Sequence, residues 1–238
     1  MAGNEHNNRS VRAMLDTSAS IVMIVGTIAM VWLMATRQGT AAPTRAHTVP
    51  VPSAPVPLTD VAVEGLNSAR IGILEFSDFQ CPYCGMFVQD TLPLLRARYL
   101  DAGIARLYFR HTPLAKLHPQ ATAAAVVAEC ARRQGRFWPM HDLLFKNRER
   151  LSESSLATYA RQVELNMSEY DACVVGSGPM AVAADSQLAA SLGVKSTPLF
   201  VIGRIQGDGS LRSVAVLMGA EPLSEFAKVI ERLKTSDH

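Results

Sequence analysis

The stretch EFSDFQCPYCGMF, from Glu75 to Phe87, places two cysteines three positions apart directly after an apolar run. That run, RIGILEFS, is rich in Ile and has apolar residues at both odd and even positions. This pattern predicts a strand that is buried on both faces of a sheet. Cys81 and Cys84 therefore lie where a buried strand gives way to a helix, with Pro82 at a position that suits a first helical residue.

The C-x-x-C spacing is compatible with a redox disulfide, with half of a zinc site, or with two inert buried thiols. A structural zinc ion needs four ligands, yet Cys130 and Cys173 stand alone in separate predicted helices and no two histidines have the required spacing. A helix N-terminus carries roughly half a positive charge, which stabilises a thiolate at the first cysteine. The sequence context thus favours Cys81 as a nucleophile with Cys84 as its resolving partner.

The N-terminal region contains an uncharged apolar segment of the length that a membrane span needs. The twenty residues between Asp16 and Arg37 read TSASIVMIVGTIAMVWLMAT and would extend about 30 Å as a helix. We therefore predict a transmembrane signal-anchor at residues 17–36, preceded by a cytoplasmic tail at residues 1–16. A cleaved export signal and a buried helix are the alternatives. Two arginines on each side leave the orientation undecided by charge.

Residues 37–60 contain five prolines within fifteen positions, which predicts an extended Pro-rich linker. The remainder, residues 61–238, is long enough for one domain with its own hydrophobic core. The 23 basic residues nearly balance the 21 acidic ones, for a formal charge of +2. This charge gives no support for a nucleic-acid partner.

The pattern within residues 61–238 is strand, helix, strand, helical block, two-stranded hairpin and helix. The first helix follows Pro82 and is predicted to be interrupted near Pro93. Apolar residues at helical spacing fill most of residues 113–195, and two short β-type runs, PLFVIG and SVAVLMG, come after them. The sequence predicts an α/β domain with a helical insertion.

Three separated blocks carry a family resemblance: EFSDFQCPYCGMF, HPQATAAAVVAECARRQGRFWPMHDLLF and GVKSTPLFVIG. They resemble the DsbA family of exported bacterial thiol-disulfide oxidoreductases, particularly its membrane-tethered branch. The resemblance implies a thioredoxin-like fold with a helical domain inserted between its two halves. It also implies an enzyme that introduces disulfide bonds into reduced exported proteins, with no cofactor besides its own cysteine pair and with a quinone-linked membrane protein as reoxidase.

The same resemblance assigns roles to individual residues. Cys81 would be the exposed nucleophile and Cys84 the buried resolving cysteine. Thr197 and Pro198 would form a loop with a cis peptide bond that faces the disulfide and pairs with substrate backbone. Pro82 and Tyr83, between the two cysteines, would also contact the substrate.

Glu75, six residues before Cys81, matches an acid of the family that carries protons to and from the buried cysteine. Strand alternation places Glu75 on the same face as Ile71 and Ile73, so a raised pKa is expected if that face is buried. The alternative is a solvated charge at the edge of the sheet.

Four cysteines allow three pairings. If Cys81 and Cys84 bond to each other, Cys130 and Cys173 are left to form a structural disulfide; two free buried thiols are the alternative. Such a bridge would place the domain outside the cytoplasm. The protein would then be a single-pass protein of the bacterial inner membrane, with its catalytic domain on the periplasmic side.

The direction of exchange stays open at this point. A disulfide oxidase is favoured. A membrane-tethered reductase or isomerase, and a non-enzymatic peptide-binding or chaperone module of the same fold, are the competing interpretations.

Overall fold

The structure, a computed structural model, describes residues 50–235. The predicted tail at 1–16, the predicted anchor at 17–36 and the first part of the predicted linker lie outside these residues. Within residues 50–235, no helix combines the length and the apolar character that crossing a membrane requires.

The described part contains six strands: β1 (Val56–Pro57), β2 (Ala62–Glu64), β3 (Ile71–Ser77), β4 (Ala105–His111), β5 (Leu199–Ile205) and β6 (Ser210–Met218). They form one central mixed sheet with the strand order β1-β6-β5-β3-β4-β2. Central strand β3 runs parallel to β4 and antiparallel to β5. All seven residues of β3 are buried, which confirms the prediction of a strand covered on both faces.

The helix after β3 is interrupted, as the sequence predicts. It begins as α1 (Pro82–Met86), widens into a π-helical segment at Phe87–Thr91, continues as α2 (Leu92–Leu95) and ends in a second π-helical segment at Arg96–Leu100. The N–H of Leu92 donates to the carbonyl of Phe87, five residues back. Pro93, the next residue, has no N–H to donate, so the interruption takes the form of a wide turn.

The helical insertion consists of five helices between β4 and β5, all within the predicted range 113–195. They pack around a core of their own that reaches Phe79, Cys81 and Cys84 at its edge. They are α3 (Ala121–Arg133), α4 (Phe137–Lys146), α5 (Glu153–Gln162), α6 (Met167–Val175) and α7 (Ser177–Ser191); the helix near the end of the chain is α8 (Leu223–Thr235).

The predicted end of the Pro-rich linker at residue 60 is wrong, because β1 belongs to the sheet. Val56 pairs with Leu211 of β6 and is 1 % exposed. Arg110 reinforces this attachment by donating to the carbonyls of Pro57 and Thr59, each at 3.0 Å. Prolines are tolerated here because an edge strand needs only one of its two hydrogen-bonding sides.

Two apolar layers cover the two faces of the sheet and determine which way the β3 side chains point. Ile71 and Ile73 pack against Phe200 of β5 and Phe226 of α8. Leu74 belongs to the layer on the opposite face. By alternation, Glu75 points into the first layer.

A disulfide joins Cys130 of α3 to Cys173 of α6, with a Cα–Cα distance of 5.8 Å and 43 residues of separation. The alternative of two free buried thiols is therefore wrong. Both cysteines lie in the helical insertion, within its apolar core.

Removing this disulfide is expected to lower the free energy of unfolding by about 4 kcal/mol, because a cross-link over this separation restricts the unfolded chain. The test compares urea unfolding of the wild type with that of a Cys130→Ala/Cys173→Ala variant, with Cys81 and Cys84 oxidised in both. Coincident unfolding curves would contradict the expectation.

Candidate active site

Cys81 occupies the N-cap position of α1, with an extended backbone at φ −68° and ψ 124°. Its carbonyl accepts the first helical hydrogen bond, from Gly85 N–H at 3.1 Å. The N–H groups of Tyr83 and Cys84 point towards its sulfur and help to lower its pKa. A helix start with unpaired N–H groups suits an anion, so the local fold favours the thiolate of Cys81.

Both cysteines are free thiols and both are buried, with Cys81 4 % and Cys84 0 % exposed, so the prediction of an exposed Cys81 is wrong: the Thr197 loop lies against its sulfur. The acidities of the two thiols differ strongly. A hydrogen bond from the Cys84 thiol is the largest influence on Cys81; together with the smaller effects of the Thr197 side chain and the helix N–H groups it outweighs burial and lowers the pKa of Cys81 to about 5. Burial raises the pKa of Cys84 well above its usual value, and the nearby sulfur of Cys81 raises it further. At neutral pH the pair therefore holds one thiolate and one thiol.

The loop before β5 lies against Cys81, as predicted. The sulfur of Cys81 is 3.4 Å from the carbonyl oxygen of Thr197, and the Thr197-Pro198 peptide bond is cis. The carbonyl of Pro198 accepts a hydrogen bond from Gly219 N–H at 2.8 Å, which ties the loop to the end of β6. The antiparallel pairing of β5 with β3 brings this loop to the end of the sheet where α1 begins.

Glu75 is fully buried on the central strand, so the alternative of a solvated charge at the sheet edge is wrong. Within the described residues, neither of its carboxylate oxygens has a hydrogen-bond partner. Burial raises the pKa of Glu75 to about 7. The Glu75 charge in turn contributes to the raised pKa of Cys84, so the two groups are electrostatically linked.

Ser77 is a site residue that the sequence reasoning missed. It lies two positions after Glu75 on the same face of β3 and is 1 % exposed. Against the effect of burial, its hydroxyl lowers the pKa of both Glu75 and Cys84, so it lies close to both groups. Strand alternation from Glu75, continued one step further, would have identified it.

Asp78 organises the loop that follows β4, a role that no sequence pattern predicts. Its buried carboxylate accepts hydrogen bonds from the N–H groups of Gln80 at 2.7 Å and Leu114 at 2.8 Å. Nδ1 of His118 lies 2.8 Å from the same carboxylate. These contacts hold the 114–118 loop beside the start of α1.

The residues between the two cysteines are accessible. Tyr83 is 60 % exposed, and Pro82 is exposed beside it. The structure thus brings Cys81, Cys84 and the two intervening residues together with the Thr197-Pro198 loop. Among residues 50–235, no three His, Cys, Asp or Glu side chains are grouped in a way that could hold a metal ion.

The sequence profile described as thioredoxin matches residues 59–216, which is most of the chain. The chain belongs to the thioredoxin family. The matched region of this thioredoxin-family protein includes β2 to β5, most of β6, the cysteine pair and the helical insertion.

Two solved structures have folds similar to that of this thioredoxin-family protein. A variant of alpha-DsbA1 from Wolbachia pipientis superposes with a TM-score of 0.66 at 23 % identity, over 76 % of this chain and 94 % of that one. Oxidised BdbD from Bacillus subtilis gives a TM-score of 0.65 at 20 % identity, over 76 % and 97 %. The predicted fold is confirmed: a DsbA-like thioredoxin fold with an inserted helical domain, which supports thiol-disulfide exchange in general.

A curated relative matches over part of its own length. It is the Na(+)/H(+) antiporter NhaA 3 of Salinispora tropica, 33 % identical over 166 residues, which are 69 % of this chain and 24 % of the antiporter. This thioredoxin-family protein spans about a quarter of the length of the curated relatives it matches. The match therefore indicates that the two proteins share a related domain, and it gives no support for ion transport by this protein.

Proposed function

We propose that this protein is an extracytoplasmic disulfide oxidase that acts through Cys81 and Cys84. The observation that carries the proposal is the difference in acidity within the pair, with the pKa of Cys81 lowered to about 5 and that of Cys84 raised. A stabilised thiolate favours the reduced form of the pair. The disulfide form consequently gives up its bond readily and oxidises other dithiols.

The reaction consists of two exchanges at sulfur. A substrate thiolate attacks the sulfur of Cys81 in the oxidised pair, the Cys81–Cys84 bond breaks, and Cys84 leaves as a thiolate that takes up a proton. The second substrate thiolate then attacks the substrate sulfur of the mixed disulfide, and Cys81 leaves as a stable thiolate. The substrate loses two electrons and two protons; the cysteine pair gains the electrons and one proton, and water takes the other proton.

Glu75 is suited to exchange the proton of Cys84. A carboxyl group with a pKa of about 7 is present in both protonation states at neutral pH. It supplies a proton when Cys84 leaves as a thiolate, and it accepts that proton when the pair is oxidised again. Ser77, whose hydroxyl lowers the pKa of both groups, is the side chain that this proposal assigns to relay the proton.

The substrate-binding surface consists of Pro82 and Tyr83 on one side of Cys81 and of Thr197 and Pro198 on the other. An extended substrate segment next to the cis-proline loop would pair with it through backbone groups, as an added strand does. The substrates in this proposal are reduced exported proteins, and no cofactor is required besides the redox-active disulfide.

The disulfide between Cys130 and Cys173 supports an oxidising location, because such structural bonds persist outside the cytoplasm. We place the domain on the periplasmic side of the bacterial inner membrane. In this proposal residues 17–36 form the anchor, and a membrane quinone-linked protein reoxidises the pair.

The proposal is tested by mixing the oxidised protein with a reduced two-cysteine peptide and following both by mass spectrometry. We expect one peptide disulfide per protein and no reaction for Cys81→Ser. When Cys84→Ser is first loaded with glutathione as a mixed disulfide at Cys81, the thiolate of a one-cysteine version of the peptide should displace the glutathione and remain bound to Cys81 as a mixed disulfide. A reductase would instead leave the reduced peptide unchanged. In its own dithiol form, a reductase would cleave the disulfide of the oxidised peptide. A chaperone module would suppress aggregation of an unfolded protein equally well with Cys81→Ser.

A further inference from the structure

A groove of about 760 Å³ opens beside the cysteine pair, on the side of α1 that faces the helical insertion. Its near end is formed by Pro82, Gly85 and Met86, all within the first turns of α1. The opposite wall is formed by residues 145–150, at the end of α4 and in the turn after it. The groove therefore begins within one helical turn of Cys81.

The wall opposite α1 carries an excess of positive charge. Lys146, Arg148 and Arg150 line it, while Glu149 is the single acid in that stretch. Arg148 contacts Glu149 at 2.9 Å; among residues 50–235, Lys146 and Arg150 have no carboxylate partner within 4.0 Å. The stretch therefore keeps a surplus of two positive charges.

The far end of the groove has no surplus of positive charge, because one arginine there faces two carboxylates, and the surplus is confined to the part near the cysteines. There Arg96 interacts with Asp142 at 3.4 Å and with Glu64 at 2.9 Å. These partners occupy the guanidinium, so Arg96 adds little to the attraction of an anion from solution. The part with free positive charge is the wall of residues 146–150.

Gly85 allows the cationic wall to approach the active-site helix closely. A Cβ atom at this position would lie 3.2 Å from Cδ of Arg148 and 3.4 Å from its Nε. The side chain of Arg148 thus lies against the backbone of α1, one residue after Cys84. The floor beside it is apolar, with Met86 49 % exposed, and a methionine surface adapts to different side chains.

We propose that this groove binds an acidic segment of the reduced partner protein, adjacent in sequence to the cysteine that reacts with Cys81. The apolar floor contacts the aliphatic parts of the segment, and Lys146, Arg148 and Arg150 attract its carboxylates. This inference rests on the proposed function, because it names the class of substrate for the same cysteine pair. Charges at the rim of a binding surface act mainly on the rate of association and lose their effect as salt is added.

The test uses three reduced two-cysteine peptides that differ only in the four residues beside the first cysteine, which are Glu, Gln or Lys. With the oxidised wild-type protein at low salt, we expect the Glu peptide to react about 5-fold faster than the Gln peptide and the Lys peptide to react more slowly still. In 0.5 M salt the three rates should converge. Equal rates for the Glu and Gln peptides at low salt would overturn the proposal.

A charge-reversal variant and a matched control locate the effect. Lys146→Glu/Arg148→Glu should abolish or reverse the ratio of the Glu-peptide rate to the Gln-peptide rate. Lys228→Glu/Lys234→Glu changes the net charge equally in α8, outside the groove, and should keep the preference. The proposal is overturned if the two variants lose the preference to the same extent.

A binding measurement separates this inference from the proposed function. Peptides with both cysteines replaced by Ser are titrated with the protein and followed by fluorescence anisotropy. Tighter binding of the Glu peptide that is lost in Lys146→Glu/Arg148→Glu supports the groove even if no peptide is oxidised. Oxidation of all peptides together with equal binding would support the oxidase and refute the acidic-segment site.

Discussion

Replacing Cys81 by Ser is expected to abolish disulfide exchange and to lower the free energy of unfolding of the reduced protein by about 3 kcal/mol at pH 7. The pKa of Cys81 is lowered from 9.0 to about 5, so its thiolate contributes stability that is complete above pH 9 and is lost as the pH falls through 5. The two pKa values are about four pH units apart, and pH 7 lies about two units above the lower one. Each of these two units contributes about 1.4 kcal/mol to the free energy of unfolding. The measurement is urea unfolding of the reduced wild type and of Cys81→Ser at pH 7 and pH 4.

The control for this prediction is the pH dependence itself. A general packing defect in Cys81→Ser would lower the unfolding free energy equally at both pH values. The thiolate account requires the difference between the two proteins to shrink by about 3 kcal/mol at pH 4. Absorbance of the thiolate at 240 nm should also titrate with a midpoint near pH 5; a midpoint near 9 would contradict the account.

The second large effect is expected at Glu75. Its pKa is raised from 4.5 to about 7 by burial, so the buried charge opposes folding above pH 7, and this penalty disappears as the pH falls through 4.5. Glu75→Gln removes the charge and should raise the free energy of unfolding by about 3 kcal/mol at pH 8 and by less than about 1 kcal/mol at pH 5. Urea unfolding at the two pH values measures this difference.

Glu164→Gln is a suitable control, because the Glu164 side chain is 79 % exposed and pays no comparable cost of burial. It should leave the unfolding free energy within about 0.5 kcal/mol of wild type at both pH values. A Glu75→Gln variant that is no more stable than wild type at pH 8 would show that the carboxyl group is not charged in the folded protein at that pH. It would thereby remove the basis for proton exchange with Cys84.

The local parts of the fold could be predicted from sequence because they depend on neighbouring residues. The run before Cys81 has apolar residues at both odd and even positions and identifies the central strand, and Pro93 identifies the interruption of the first helix. Helical spacing alone located the insertion within residues 113–195. The strand at Val56–Pro57 was missed because its prolines resemble those of a linker, and only the pairing with β6 gives it a place in the sheet.

The site could be predicted only as far as its residues are close in sequence or belong to a known motif. The contact between Asp78 and His118 spans 40 positions, and no local pattern announces it. The groove could not be predicted for the same reason, because α1 and residues 145–150, which form its two sides, are about 60 residues apart along the chain. Ser77, in contrast, could be predicted, because strand alternation places it on the same face of β3 as Glu75.

The measurement that tests the central claim most directly is the redox equilibrium of the Cys81–Cys84 pair with glutathione at pH 7. Stabilisation of the thiolate by about 3 kcal/mol makes the pair more oxidising by about 60 mV than a pair with ordinary thiols. Added to the potential of thioredoxin, about −270 mV, this shift gives about −210 mV, and we expect a potential at or above that value. A potential near about −270 mV would contradict the oxidase account and indicate that electrons flow from this pair to its substrates.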